Sequence, residues 1–590
     1  MSGPWARVDD LVAGAARLFP RAEAELVARR PAEVAEVLDE VERRTDAGWW
    51  AFGMVTYEAA AGLDPTLVTR EPVDGLPLAW FGLTREAQAV PVVAHGARSP
   101  YAAGPWVAEW DAAAHRAAVG TVRERIAAGE TYQCNLTTRL TATVSGDLTQ
   151  LYRDLALGQR GAYHAYLDTG RFVVASASPE LFLETRGDRI LVRPMKGTAP
   201  RGRTTEEDDE AVARLRGSAK ERAENIMIVD LMRNDLARLA RPGTVTVPRL
   251  LGTERYPTVH QLTSDVTARL RPGVGLTETF RALFPCGSVT GAPKARTMRL
   301  IREVEASPRG VYCGAIGVVA PAGHPVRARF SVAIRTVVVD RERGTATYGT
   351  GGGVTWDSEP AAEYAELRAK ARVLDARPED FHLIETMRHE AGRLHSLDAH
   401  LARVCDSAAY FGFRFDEDAV RRGLTERLAG RADARVRLRC YRDGAVGVDV
   451  EDLPSPAAGP VRLVVDPEPI DATQCWPHHK TSRREPYSAR LARHPAADDV
   501  LLLNGHGEVT ESCTANLAVR LDGVWWTPPL GSGCLPGVER GLLAAAGRLR
   551  ERTLRPGDLL RAEDLALVSS LRGWRRAALT SAPAPSARSS

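Results

Sequence analysis

Lysine is scarce in this chain. Its 590 residues include only Lys196, Lys220, Lys294, Lys370 and Lys480, beside an abundance of arginine. Surface positions tolerate arginine in place of lysine. A site where an amine must lose its proton, attack carbon or form an imine does not, because guanidinium stays protonated. The surviving lysines are therefore enriched in candidates for chemistry, although some have simply escaped replacement. Cysteine is also sparse: eight residues, none in a C-x-x-C pair, so neither a zinc site nor a disulfide framework is indicated. The formal net charge of +3 gives no electrostatic footprint for nucleic acid. No apolar run approaches membrane-spanning length. The opening MSGPWARVDD has no basic-then-apolar signal. A reducing cytoplasm is the expected location.

The composition is that of a globular protein, 44% hydrophobic and 26% charged. At this length two large domains or several small ones are expected. A helical pattern ends in LDARPED and a strand-like run, FHLIETM, follows. That break places one domain at 1–375 and a second at 381–578. The remainder, 579–590, is Pro/Ser/Ala-rich and reads as a disordered tail. The first part mixes helical runs (AAHRAAVGTVRERIAAG, ERAENIMIVDLMRNDLARLA) with strand-like runs (RFVVASA, RILVRPM, TVTVPRL, SVAIRTVVV). Many strands in succession favour α+β over a doubly wound sheet. The second part has a short strand, a helix (LDAHLARVCDSAAYFG) and further strands.

Two helical segments carry paired carboxylates: Glu221 and Glu224 in one, Glu363 and Glu366 in the other, with Lys370 one turn beyond. Spacing of three or four places each pair on one helix face. Two such faces turned together would offer hard oxygen ligands for Mg²⁺. Taken alone, each is more often a solvated face. Between them, FPCGSVTGAPK sets Gly287, Ser288, Thr290 and Gly291 before a helix beginning near Pro293, where backbone N–H groups could face an anion. Arg335, in the strand-like SVAIRT, could grip a carboxylate bidentately or pair with a structural acid. Gly351, Gly352 and Gly353 permit close backbone approach.

These segments carry a resemblance. TYQCNLT, ASPELF, RPMKGT, RAENIMIVDLMRNDL, FPCGSVTGAPK, YCGAIG, IRT, YGTGGGV and AEYAELRAK occur in this order. From about Gly48 to Leu374 the chain resembles the chorismate-utilising enzymes, which include anthranilate synthase, isochorismate and salicylate synthases and aminodeoxychorismate synthase component I. The resemblance implies the α+β chorismate-binding fold. It implies that Glu224 and Glu366 hold Mg²⁺ with Glu221 and Glu363 beside them, and that Lys370 lies near the site. Arg335, Tyr312, Thr290, Gly291 and the Gly351–Gly353 backbone would bind chorismate, and Glu180 would be a general acid/base. Lys196 in PMKGT stands where aminodeoxychorismate synthases carry lysine, a proposed nucleophile, and anthranilate synthases typically alanine. In TVHQLTS, Gln261 stands where a catalytic histidine often precedes leucine. Whether His260 takes over proton transfer or Gln261 only hydrogen-bonds is open. No residue settles whether a tryptophan site survives in the first hundred.

From about Phe381 to Trp574 the chain resembles fold-type IV pyridoxal phosphate enzymes, which include aminotransferases and aminodeoxychorismate lyase. The resemblance implies Lys480 as Schiff-base lysine and general acid/base, Glu511 as partner of the pyridine nitrogen, and Arg403 as a phosphate ligand. Ser569 and Ser570 would be further phosphate contacts. GSGCLPG around Cys534 superficially suggests an amidotransferase elbow, but the glycine placement is off. Ammonia is then expected from a separate glutamine amidotransferase subunit. A homodimer through the second domain is expected by analogy. Together the halves imply a bifunctional enzyme of 4-aminobenzoate biosynthesis, which serves folate or an antibiotic precursor. It would aminate chorismate to 4-amino-4-deoxychorismate and then eliminate pyruvate. Three alternatives remain: an anthranilate- or isochorismate-type first domain, a transaminase second domain, and an inactive scaffold.

Overall fold

The computed structural model describes residues 3–375, 377–455 and 459–580. The expected disordered tail lies outside the described residues from Ser581 onward. The chain forms two compact units, one of 1–200 and 212–379, the other of 201–211 and 380–590. A short segment from the middle of the first region thus belongs to the second unit.

The first unit is built on two large antiparallel sheets, one of eleven strands and one of ten. Phe19, Phe52, Met54, Trp80, Leu167, Val174 and Ile316 form a core drawn from strands of both sheets. The outer face of the ten-stranded sheet packs against helices through Val34, Leu38, Ile228, Met232, Phe280 and Met298. The outer face of the eleven-stranded sheet packs on the Leu148–Gln159 helix through Leu151, Tyr152 and Leu155. The result is a four-layer α+β arrangement. Helix starts follow local chemistry. Asp111 accepts hydrogen bonds from the Ala113 and Ala114 amides ahead of the Ala112–Ala127 helix. Ser218 caps Ala219–Ala237, and a proline opens Pro360–Ala371.

One expectation about this unit fails. Arg335 does not sit within a strand. The run SVAIRTVVV breaks into Ala328–Val332, in the ten-stranded sheet, and Thr336–Asp340, in the eleven-stranded one. Arg335 lies at the crossing with φ 52°. An apolar run that continues across a change of sheet looks like one strand, since both pieces are buried.

The second unit has a four-stranded antiparallel sheet and an eight-stranded mixed sheet. In the strand Leu383–Glu390 burial alternates residue by residue, with Leu383, Glu385, Met387 and His389 inward. The helix Leu397–Phe411 packs on this sheet through Leu401, Val404 and Ala408, and ends at Gly412 in the left-handed conformation. No described helix is long and apolar enough to cross a membrane.

Candidate active site

The first unit holds a polar cavity. Its wall includes Glu221 and Glu224 from the helix Ala219–Ala237, and Glu363, Glu366 and Lys370 from Pro360–Ala371. Lys196 on the strand Met195–Pro200, Glu180, Ser288, Tyr312 and Arg335 complete it. The two carboxylate-bearing faces therefore meet across one space. Burial raises the pKa of Glu221, Glu224 and Glu363, and the neighbouring carboxylates add to it. Glu366 differs: burial pushes it up, but the Lys370 ammonium at 2.7 Å, helped by Lys196 and Lys220, holds it low. Lys370 also donates to the Gly351 carbonyl at 2.7 Å. Burial lowers its pKa despite the Glu366 carboxylate.

Lys196 projects toward the Gly351–Gly353 strand. A β-carbon at Gly353 would lie 2.9 Å from Lys196 Nζ and 2.4 Å from Gln133 Nε2, so a larger residue there would push both side-chain ends aside. The Gln133 amide is buried with neither of its polar atoms partnered. Gly349 similarly makes room for the Tyr312 ring, which a β-carbon there would meet at 2.1 Å. Arg335 donates to the Lys370 carbonyl, which fixes its guanidinium beside the cavity. Glu180 is buried and accepts from Ser288 Oγ at 2.6 Å. Burial pushes its carboxyl up to about 7, against the pull of Ser288 and Lys196.

Among the described residues no three of His, Cys, Asp and Glu converge tightly enough to hold a metal ion unaided. Mg²⁺ does not require that. It keeps waters and takes one or two carboxylates plus substrate oxygens. Four mutually repelling carboxylates around an open space suit a divalent cation of that kind.

The second unit gathers a different set. The Lys480 carbonyl accepts from the Ile384 amide at 3.0 Å, which ties the lysine to the inward-facing Glu385 strand. Burial lowers the Lys480 amine to about 8, with Arg403 and Arg484 pushing the same way and Glu385 and Glu511 opposing. Glu511 is buried and pushed up to about 7. It accepts from the Leu535 amide at 3.1 Å and from Asn516 Nδ2 at 3.3 Å. Arg403 donates to both oxygens of Glu385 at 2.8 Å and to the Pro536 carbonyl at 2.9 Å. A buried amine of lowered pKa, a buried carboxyl and a guanidinium are what an aldehyde cofactor with a basic ring nitrogen and a phosphate would need. The donor set fits pyridoxal phosphate.

Comparison with known proteins agrees with both geometries. Residues 92–376 match the family described as chorismate binding enzyme, and residues 382–579 the family described as amino-transferase class IV. The chain joins a chorismate-binding domain to a class IV aminotransferase domain. Aminodeoxychorismate synthase component 1 of Klebsiella aerogenes is 40% identical over 289 residues, 49% of this chain and 61% of that protein. Anthranilate synthase component 1 of Streptomyces coelicolor is 41% identical over 271 residues, 46% of this chain and 52% of that protein. The chain thus spans between 52% and 61% of these two relatives. The chorismate-binding domain shares its fold with the crystal structure of anthranilate synthase component I from Streptococcus pneumoniae TIGR4. The TM-score is 0.53 at 24% identity, over 62% of this chain and 92% of that one.

Within the chorismate-binding domain some expected residues are absent from the wall. His260 and Gln261 are adjacent in the strand Val259–Arg269, so their side chains face opposite ways. Gln261 lines the cavity and accepts from Thr198 Oγ1 at 3.1 Å, whereas His260 is not part of the wall. Thr290 turns its hydroxyl onto the Cys286 carbonyl at 3.1 Å, and Gly291 pairs with Cys134 in the sheet. Their neighbours Ser288 and Val289 reach the cavity instead. Gly351 and Gly353 line it; a β-carbon on Gly352 would lie 3.1 Å from Glu363 Oε2. Lys220 also lies on the wall, and the scarcity of lysine was the signal that marked it.

In the class IV domain, Ser569 ends the strand Asp564–Ser569 and accepts from the Arg572 amide at 3.3 Å, a local turn contact. Neither Ser569 nor Ser570 hydrogen-bonds to Lys480, Glu511 or Arg403 among the described residues. Cys534 is buried with its thiol pushed up to about 12 by burial, which does not suit a nucleophile. Glu385 went unread in the sequence. A carboxylate at the inward phase of an otherwise apolar alternation was the available signal.

Proposed function

We propose that the chain makes 4-aminobenzoate from chorismate and ammonia in two steps, one in each domain. The observation that carries this reading is Lys196. It lies in the wall of the carboxylate-lined cavity and close enough to Glu180 to perturb it. The same chain carries the buried Lys480 and Glu511.

In the first step Arg335 and the Gly351–Gly353 backbone hold the substrate carboxylates. Glu224 and Glu366, with Glu221 and Glu363 beside them, would hold Mg²⁺, which supplies Lewis-acid activation of the departing oxygen. The Lys196 amine bonds to the second ring carbon. Both ring double bonds shift, round the C1 side of the ring, and the C4–O bond breaks. Glu180, still partly protonated near neutrality, gives the hydroxyl its proton, so that it leaves as water. Ammonia then bonds to C4, both double bonds return and lysine departs as the amine. The Lys370 ammonium favours the ionised form of Glu366.

In the second step pyridoxal phosphate supplies an electron sink for the carbanion at C4. Arg403, with Ser569 and Ser570, would hold its phosphate. Glu511 would pair with its ring nitrogen and favour the protonated form of that nitrogen. Lys480, the residue that would anchor the cofactor, takes the proton from C4. The enolpyruvyl ether bond breaks, pyruvate leaves and the ring becomes aromatic. Ammonia would come from a separate glutamine amidotransferase subunit, as the component 1 name of the Klebsiella relative suggests.

The 41% identity to an anthranilate synthase component supports a second reading, in which nitrogen enters at the second carbon. A product assay separates the two. The full chain is incubated with chorismate, Mg²⁺, ammonium and pyridoxal phosphate, and the products are resolved by chromatography. 4-Aminobenzoate supports the reading; anthranilate overturns it.

A further inference from the structure

Arg403 is held in a way that leaves its useful edge open. Arginine has five N–H donors. Nε and one hydrogen of Nη2 go to the two oxygens of Glu385, both at 2.8 Å, and one hydrogen of Nη1 goes to the Pro536 carbonyl at 2.9 Å. Among the described residues, one hydrogen on Nη1 and one on Nη2 are left. Those two nitrogens form the end of the guanidinium that grips an anion bidentately. Pro536 immediately precedes Gly537, the cap of the helix Val538–Ala545, so this open end lies beside a helix start.

Glu385 is itself fixed. Its side chain is 1% exposed. His400 Nδ1 lies 2.6 Å from Oε2, and the Arg403 guanidinium together with the His400 hydrogen bond holds the carboxyl low, at about 2, although burial opposes them. His400 and Arg403 are one turn apart on the helix Leu397–Phe411, so one helix face presents both to a single buried carboxylate. A neutral or absent partner at position 385 would let the guanidinium turn, since a long side chain loses its fixed orientation without its hydrogen bonds.

Resting on the pyridoxal phosphate reading above, we infer that Glu385, braced by His400, is a positioning residue for the cofactor's phosphate. It acts by aiming the free end of Arg403.

The test compares two probes on the full-length, cofactor-free protein: pyridoxal 5′-phosphate, and pyridoxal, which lacks the phosphate. Affinities are read from the near-ultraviolet absorbance change on titration. Arg403→Ala is expected to erase most of the preference for the phosphorylated probe. Glu385→Gln is expected to reduce that preference about tenfold or more, as loss of a charge-assisted contact does, while pyridoxal affinity changes less than about threefold. A general loss of structure would weaken both probes alike. If Glu385→Gln fails to fold, His400→Gln decides: a smaller drop in the preference supports the inference, and an unchanged preference overturns it. If Arg403→Ala collapses the preference and Glu385→Gln does not, the role of Glu385 is wrong and the phosphate reading stands. If Arg403→Ala leaves the preference intact, the phosphate reading itself fails.

Discussion

The two sites handle buried charge in opposite ways. The chorismate-binding domain collects four carboxylates around one polar cavity and neutralises only one of them closely, Glu366 by Lys370. The class IV domain closes Glu385 in its interior, taken on both oxygens by Arg403 and on one by His400. A surplus of acid in an open space waits for a cation from outside. A closed ion pair does not, because the partner has already met the desolvation cost. The first arrangement suits an exchangeable metal, and the second suits fixing the direction of one arginine.

The largest way to test this division is to remove each lysine in turn. Lys480→Ala should lower pyruvate release by on the order of a thousandfold or more, as loss of a combined acid/base and imine-forming amine does. Chorismate and ammonium should still be consumed, and the aminated intermediate should accumulate on chromatography. Lys196→Ala should instead stop nitrogen entry at C4, again by at least about a hundredfold, and leave turnover of supplied intermediate intact. A variant that lost both activities together would break the separation of the sites.

Metal removal comes next. A chelator should depress chorismate consumption by about a hundredfold or more and leave release of pyruvate from supplied intermediate unchanged. Equal loss of both would mean that the carboxylate surplus is not what distinguishes the domains.

The pH profiles should run in opposite directions. Glu180, raised to about 7 by burial, is protonated below that value. Its role as acid therefore predicts a first-step rate that falls as pH rises through about 7. Lys480, lowered to about 8 by burial, is a free amine above that value. The rate at which cofactor-free protein captures pyridoxal phosphate should then rise with pH toward about 8. The smallest effect is expected of Ser288→Ala. Its hydrogen bond holds the Glu180 carboxyl down, so removing it should move the falling limb upward by about half to one unit.

The paired carboxylates, Lys196, Lys480 and Glu511 were legible in the sequence because each belongs to a local run whose periodicity or motif marks it. So was the α+β class. Side-chain direction within a motif was harder to read. His260 and Gln261 differ by one residue, and only the pairing of Val259–Arg269 with its neighbours decides which of them faces the cavity. Thr290 looked as free as Ser288 until its hydroxyl was seen to close its own turn. Arg335 sat in an unbroken apolar run that hid a change of sheet. Glu385 and Arg403 lie eighteen positions apart on different elements, and no local pattern announces that a strand carboxylate and a helical guanidinium will meet.

The segment Arg201–Ala211 lies far upstream of Asp380 in sequence yet is counted with the second unit. There Tyr410 donates to the Gly202 carbonyl at 2.6 Å, and the Arg201 guanidinium sits 4.2 Å over the Tyr410 ring. Cutting the gene at the apparent boundary near residue 380 would therefore yield a carboxy-terminal fragment missing part of its own packing, with the face of Tyr410 bared. An engineer who wants the class IV domain alone would have to graft those eleven residues back, or replace what they cover.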